Sequence, residues 1–170
     1  MCTEIFVSGL DPAPQGSKTI NRGGYGMRES CSRVKPWRDL VRRAAIQTRP
    51  QIIHCACKLS IEFRMERPSS HYTLTGNKSC HFKDYYTVKK NDVDKCIRST
   101  LDSLSGVVYE DDSQVVLLSV YQRYCLPLEE PGAHILVCKM PASPLNNLWR
   151  SLKNAFHDWT NQKATQGSWL

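Results

Sequence analysis

The strictest alternation of hydrophobic and polar residues runs from Cys57 to Met65. Its hydrophobic side chains point one way and its polar or charged ones the other, which predicts a half-buried β-strand. Weaker alternation predicts three further strands, a short one around Ile5 and Val7 and two over residues 114–124 and 133–139.

Hydrophobic residues recur every three or four positions in three other segments, which predicts helices. The first covers residues 35–48, with Pro36 in its first turn, and the second begins near Val93 and ends at Gly106. The third begins at Ser143 and carries a stripe of large apolar side chains, Leu145, Leu148, Trp149, Leu152, Phe156 and Trp159.

Strands and helices therefore alternate along most of the chain, which predicts an α/β or α+β fold with helices packed on a small mixed sheet. We expect a main domain over residues 1–142 and an additional C-terminal helix and tail over 143–170. Residues 11–26 are expected to form a basic loop, and residues 67–90 a long one. Loops of that length in a compact domain are often functional.

Composition narrows the class of protein. The chain has 170 residues, of which 41% are hydrophobic and 23% charged, so it suits one globular domain and excludes a fibre or a disordered tail. The longest uncharged apolar stretch, residues 115–121, is too short to cross a bilayer, and no secretory signal is visible. We therefore expect a cytoplasmic protein, without membrane contact, whose eight cysteines are free thiols.

The net charge of +7 raises the expectation of a polyanionic partner. Arg38 and Arg42 lie one turn apart on the first predicted helix. This face is either a solvated surface, partly neutralised because Asp39 pairs with Arg43, or a phosphate-contacting surface, and charge alone leaves both open.

Two groups of carboxylates flank the second predicted helix. Asp92 and Asp94 share a face only if the chain is still extended there, with the helix starting at or just after Asp94. Glu110, Asp111 and Asp112 follow the helix. If a turn brings the two groups together, their oxygens suit Mg²⁺ or Mn²⁺; otherwise they are a helix cap and a solvated turn.

These residues also carry a resemblance. The stretch NDVDKCIRSTLDSLSGVVYEDDSQVV is similar to the signature of the RusA-type Holliday junction resolvases, approximately K-P-D-x-D-N/K-x-x-K/R-x-x-x-D-A-L-x-G-x-x-x-D-D-x-Q-V. The segments PAPQGSKT, KPWRDLVRRAA, EFRMERP and HYT resemble other parts of that family in the same order. The similarity covers about residues 5–125 and does not include the C-terminal helix.

The resemblance implies a RusA-like homodimeric endonuclease of bacterial or phage recombination and repair, which nicks four-way DNA junctions symmetrically with Mg²⁺ and needs no nucleotide cofactor. Its metal ligands would fall on Asp92, Asp94 and Asp112, with Asp111 as an acidic neighbour. The family often has a catalytic lysine where this chain has Arg98, and many relatives have proline at Asn91. Arginine keeps the positive charge but cannot donate a proton.

Basic residues near these motifs are candidates for contacts to the DNA backbone, which position DNA without reading its sequence. They are Lys18, Lys35, Arg38, Arg42, Lys89 and Lys90.

Several alternatives stay open. Cys55, Cys57, Cys80 and His81 could form a zinc site, although the C-x-C spacing is unusual for one. His71 or His81 could act in a histidine-metal nuclease, and a cysteine nucleophile would need a base partner that the sequence does not indicate. The fold could also serve a non-catalytic DNA-binding protein, or a nuclease for flaps and other branched DNA.

Overall fold

The structure is a computed structural model that describes residues 2–16, 18–20, 26–73, 75, 84–88 and 91–141. It contains two α-helices, α1 (Val34–Gln47) and α2 (Val93–Leu104), and two short 3₁₀ turns, Ser69–His71 and Asp112–Gln114. The strands are β1 (Cys2–Ser8), β2 (Lys18–Ile20), β3 (Met27–Glu29), β4 (Cys57–Met65), β5 (Val115–Tyr124) and β6 (Gly132–Lys139). The predicted C-terminal helix lies outside the described residues.

The main sheet has the order β1-β6-β4-β5. Its β4 and β5 are parallel, while β6 runs antiparallel to both β1 and β4. This confirms the predicted mixed sheet, and β4 has the bounds that its alternation predicts. The prediction of a loop over residues 11–26 was partly wrong, because β2 lies within it and pairs antiparallel with β3, which follows it. Each of these strands has three residues, too few to show a period of two.

The helices bury their apolar stripes in the hydrophobic core. Trp37, Val41 and Ala45 of α1 are fully buried, as are Cys96 and Leu104 of α2. The indole Nε1 of Trp37 donates a hydrogen bond to Thr100 Oγ1 at 3.1 Å, which joins the two helices inside the core. Small residues, Ser99, Thr100 and Ser103, form the buried face of α2 and let α1 approach closely.

A partly buried ionic network ties the turn between β5 and β6 to the sheet. The Arg123 guanidinium binds Glu62 Oε1 at 2.5 Å and both carboxylate oxygens of Glu129 at 2.6 and 2.7 Å. Arg64 donates to Glu129 Oε1 at 3.4 Å. The hydrogen bonds from Arg123 lower the pKa of Glu129 to about 2.

The expectation that all cysteines are free thiols was wrong for one pair. Cys2 and Cys138 form a disulfide, because the antiparallel register of β1 and β6 places them opposite each other. The free cysteines of the described residues are Cys31, Cys55, Cys57, Cys96 and Cys125. Among the described residues, no helix is long and apolar enough to cross a membrane.

Candidate functional site

The start of α2 is fixed by contacts to its predecessor, Asn91, which is buried. Arg33 donates a hydrogen bond to Asn91 Oδ1 at 2.7 Å, and Gln122 of β5 donates to the Asn91 carbonyl oxygen at 3.1 Å. These bonds hold the chain just before Asp92 against the C-terminal end of β5. A proline at position 91 could not accept the bond from Arg33, so this asparagine has a structural role of its own.

Asp92 and Asp94 both lie at the N-terminal end of α2. Asp92 is the N-cap, with extended backbone angles (φ −58°, ψ 135°), and the helix begins at Val93, as its periodicity predicts, so Asp94 already lies in the first turn. The Asp92 carboxylate binds Lys95 Nζ at 2.6 Å, and this hydrogen bond raises the pKa of Lys95. Asp94, in the first turn, is exposed.

Asp94, Arg98 and Asp102 follow one another at one-turn intervals along the exposed side of α2. Arg98 is exposed and lies one helical turn after Asp94. Asp102 is paired with Arg38 of α1. This ion pair gives Asp102 a structural role between the two helices.

The loop after β1 crosses the start of α2 and adds a carboxylate that the sequence did not single out. Gln15 N donates to the Lys95 carbonyl oxygen at 3.0 Å, and Ser99 Oγ donates to the Ala13 carbonyl oxygen at 2.5 Å. Asp11, in the same loop, accepts a hydrogen bond from Glu66 N at 2.7 Å. It lines a groove of about 690 Å³ that also contains Asn91. Only the fold brings Asp11 here, since 81 residues separate it from Asp92 in the sequence.

The second acidic group lies on the turn between α2 and β5. Hydrogen bonds from the Ser113 hydroxyl and from Ser113 N, the latter at 3.0 Å, lower the pKa of Asp111. Gln114 Oε1 accepts a hydrogen bond from Asp111 N at 3.0 Å. Glu110 pairs with His54 at 2.9 Å. Asp112 is exposed at the start of the 3₁₀ turn. Asp111 therefore stabilises the turn, whereas Asp112 is exposed to solvent.

The two acidic groups lie at opposite ends of α2. The twelve residues of α2, at about 1.5 Å each, make the helix between them about 18 Å long. The carboxylates that act electrostatically on the buried Cys96 thiol include Asp92, Asp94 and Asp11. Those that act on the buried Tyr109 hydroxyl are instead Asp102, Asp111 and Asp112.

The carboxylate oxygens of Asp92, Asp94 and Asp112 have the chemistry that Mg²⁺ prefers. In the described part of a single chain, however, no three acidic, histidine or cysteine side chains lie close enough to hold a metal ion together. Asp92 and Asp94 lie together at one end of α2, although the helix begins before Asp94 and the extended pair that the sequence argument required is not formed. Asp112 of the same chain does not join them there.

The six basic candidates for DNA contact differ in the groups to which they are already bonded. Lys18 is exposed on β2, and Lys35, whose side chain is 85% exposed, pairs with Asp39 at 2.8 Å. Arg42 donates to the Ser105 carbonyl oxygen at 3.3 Å, while Arg38 binds both Asp102 and Gln15. Lys89 and Lys90 lie outside the described residues. The DNA-contact role of all six stays a prediction.

The described residues give little support to a zinc site or to a histidine-metal nuclease. Cys57 is buried in the core at the start of β4, and burial raises the pKa of its thiol, which disfavours the thiolate that zinc needs. His71 packs edge-on against Tyr124 with ring centroids 5.0 Å apart. Cys80 and His81 lie outside the described residues.

Comparison with known proteins gives two matches. The family model described as "Endodeoxyribonuclease RusA" matches residues 10–137, which include both acidic groups and α2. An uncharacterised Bacillus subtilis (strain 168) protein, YqaN, is 28% identical over 146 residues, which are 83% of this chain and 99% of that relative.

Proposed function

The chain belongs to the RusA endodeoxyribonuclease family, and we propose that it is a metal-dependent endodeoxyribonuclease that resolves four-way DNA junctions by paired symmetric nicks. The family match over residues 10–137 is the observation that carries the proposal. The exposed Asp94 and Arg98 on one side of α2 support it, because they put a potential metal ligand and a fixed cation within one turn. A role in recombination and repair in the cytoplasm of a bacterial or phage-infected cell follows from this activity.

Mg²⁺, or Mn²⁺ in its place, would be held by Asp92 and Asp94 of one chain and by Asp112 of a second copy. The separation of about 18 Å along α2 supports this division, because one copy alone offers only part of the ligand set at either end. A bound divalent ion in a nuclease supplies Lewis acidity toward water and the scissile phosphate.

The protein's own groups would orient and stabilise the DNA strand. Arg98 would lie beside the scissile phosphate and offset the charge that develops there, since a guanidinium stays protonated throughout the accessible pH range. Lys18, Lys35 and Arg42 would contact the backbone of the junction arms. A homodimer with two such sites would cut two opposed strands, matching the two-fold symmetry of a junction.

The test compares a synthetic four-way junction with a linear duplex and a flap of the same sequence, with and without Mg²⁺ or Mn²⁺. Wild-type protein should make paired nicks on the junction only when metal is present. Asp94→Asn should lower the cleavage rate at least about 100-fold and preserve or tighten junction binding, because a negative charge beside the phosphates is removed. Glu4→Gln, an exposed carboxylate on β1 that pairs with His134 and not with a proposed DNA contact, is the control and should cut like wild type.

Each contrary result identifies another function. Tight junction binding without cleavage in any metal would mean a non-catalytic DNA-binding protein. Equal cutting of flaps and junctions would mean a broader nuclease for branched DNA. Asp94→Asn cutting at the wild-type rate would show that the assigned carboxylates are not the site.

A further inference from the structure

A groove with an aromatic lining opens beside Asn91, the residue that precedes Asp92. Three of the residues that line it are tyrosines, Tyr72, Tyr86 and Tyr124, and we call it the tyrosine groove. Its volume of about 690 Å³ is within the range of about 300–1,000 Å³ that is usual for ligand sites. None of the described residues that line it is a metal ligand or catalytic group assigned above, so the groove is a separate feature of the surface.

The aromatic surface of the tyrosine groove is held in place by contacts within the protein. Tyr124 is buried, the Arg67 guanidinium lies over its ring at 4.9 Å from the centroid, and the Tyr86 ring packs against it with centroids 5.1 Å apart. Arg67 in turn donates a hydrogen bond to Asp84 at 2.9 Å. Tyr72 and Tyr86 are half-buried, so each keeps an accessible part. The groove therefore presents rings that are already ordered before a ligand binds.

The tyrosine groove also contains a hydrogen-bond acceptor, the carboxylate of Asp11. Asp11 Oδ1 accepts from Glu66 N at 2.7 Å, and among the described residues no hydrogen bond involves Oδ2. Burial raises the pKa of Tyr86, and the Tyr124 hydroxyl and the Asp11 carboxylate raise it further, so Asp11 lies near the Tyr86 hydroxyl. The acceptor and the rings thus belong to one site.

This combination of groups suits a nucleobase that has left the helical stack. Any base can stack on a tyrosine ring, and a carboxylate accepts a hydrogen bond from the exocyclic amino group of a base such as cytosine. Half-buried rings cannot reach into a groove of duplex DNA, so the base must come out to meet them. Extrusion costs less where a strand is not fully stacked or paired, as at the branch point of a junction.

We propose that the tyrosine groove binds one unpaired base of the DNA strand whose phosphate lies at Asp92 and Asp94, and that Asp11 accepts a hydrogen bond from the exocyclic amino group of that base. The proposal rests on the proposed function, because the assigned carboxylates fix where the phosphate lies. Asn91 lines the groove next to Asp92, and Asp11 acts electrostatically on the same buried thiol, Cys96, as that pair of carboxylates. The bound base is therefore a near neighbour of the scissile phosphate.

Stacking is tested by the binding of full-length protein to labelled eight-nucleotide single strands, measured by fluorescence anisotropy in EDTA so that metal-dependent cleavage does not occur. A thymidine strand is compared with an abasic strand, which has the same phosphates and no bases. Wild type should bind the abasic strand at least about 10-fold more weakly, because stacking on a tyrosine is lost. Tyr86→Leu should weaken binding of the thymidine strand about 10-fold and leave binding of the abasic strand unchanged.

Three further variants separate stacking from loss of structure. Tyr86→Phe keeps the ring and should bind both strands like wild type. Tyr85→Leu replaces the adjacent tyrosine, which is 67% exposed and is not among the described residues that line the groove, so it should also bind like wild type. Tyr72→Leu leaves the contact between Tyr86 and Tyr124 intact and should weaken binding of the thymidine strand alone.

The hydrogen bond to Asp11 is tested with thymidine strands that carry one central adenine or cytosine. Each is compared with a strand in which that base lacks its amino group. In at least one of the two pairs, wild type should bind the strand with the amino group at least about 5-fold more tightly. In Asp11→Asn this ratio should fall below about 2, because an amide has one oxygen, which Glu66 N already engages. Glu4→Gln, on β1, should keep the wild-type ratio.

Equal wild-type affinity for the thymidine and abasic strands would overturn the base site and would mean that only the DNA backbone is bound. An equal loss of affinity for both strands in Tyr86→Leu would have the same meaning. An amino-group ratio that is unchanged in Asp11→Asn would overturn the role of Asp11.

Cleavage of the four-way junction is measured separately, so the two proposals fail independently. Base-dependent binding by a protein that cuts no junction in any metal would refute the nuclease and retain the base site. Junction cleavage by a protein whose binding ignores the bases would do the reverse.

Discussion

The guanidinium groups of Arg98 and Arg38 lie in different surroundings. Arg98 is exposed on the side of α2 that carries Asp94, whereas Arg38 is held by Asp102 and Gln15. An arginine already bonded to a carboxylate contributes less net charge to a phosphate than a free one. The residue that replaces the family's lysine is thus the better placed to act on DNA.

Arg98→Ala should lower the rate of junction cleavage about 100-fold, because a cation beside the developing charge is lost. Arg98→Lys should stay within about 10-fold of wild type, because it keeps the charge. Single-turnover cleavage of a labelled junction measures both. Arg43→Ala is the control on α1, and unchanged cleavage by Arg98→Ala would contradict the assigned role.

Glu129 makes stability depend on pH. Its pKa is lowered to about 2 in the folded state from an ordinary 4.5, so its contribution is complete above about pH 4.5 and declines as the pH falls toward 2. Glu129→Gln should therefore lower the free energy of unfolding by roughly 2–3 kcal/mol at pH 7. Urea titrations from pH 7 to pH 3 should show the difference from wild type shrinking.

The cause of this pH dependence is the Arg123 partner. In an Arg123→Met background, Glu129→Gln should have a much smaller effect at pH 7, since the hydrogen bonds that lower the pKa are gone. An equal effect in both backgrounds would assign the stabilisation to the backbone bond from Leu126 instead.

At the scale of elements, α1 and α2 are joined by a buried polar contact as well as by apolar packing. Thr100→Val keeps the shape of the side chain but leaves the buried Trp37 indole N–H without its acceptor, so it should cost about 1–3 kcal/mol of unfolding free energy. Thr48→Val, at the exposed C-terminal end of α1, is the matched control. Equal stability of wild type and Thr100→Val by urea denaturation would rule out this hydrogen bond as a stabilising contact.

Element periodicity carries most of what the sequence reveals about the fold. The nine residues of β4 alternate without interruption, and the start of α1 at Val34 is within one residue of its prediction. The short β2–β3 hairpin offers no period to detect, and the Cys2–Cys138 disulfide depends on which strands are neighbours. No local pattern in the sequence predicts such long-range pairing.

At the scale of the whole molecule, the sequence identified both acidic groups but not the distance between them. Spacing along the chain left open whether a turn returns Asp112 toward Asp92. The fold separates them, because α2 runs antiparallel to β5 and each group lies at a different end of the helix. Asp11 shows the opposite case, since the fold brings it to the start of α2 from a distant part of the chain.

The net charge of the whole molecule affects its binding to DNA. The net charge of +7 predicts that junction binding weakens steeply with salt, with a log–log slope of about −4 or steeper if five or more phosphates are contacted. Lys35→Ala should reduce the magnitude of that slope by about 1, because Lys35 is highly exposed and its surface pair with Asp39 is weak in water. Arg38→Ala should change it less, since Arg38 is committed to Asp102, and fluorescence anisotropy over a salt series measures both. Equal slopes for wild type and Lys35→Ala would exclude Lys35 as a phosphate contact.

The strand order has a consequence for how the protein forms during synthesis. Among the described strands, β1 pairs only with β6, which comes last in the sequence, and β6 also separates β1 from β4. Until residue 139 has left the ribosome, the N-terminal strand has no partner, and the β4–β5 pair lacks the strand that covers its other side. Non-local pairing of this kind is slow and cannot proceed one segment at a time. A chain interrupted before β6 therefore lacks the partner of β1, so the emergence of β6 is the step that completes the sheet.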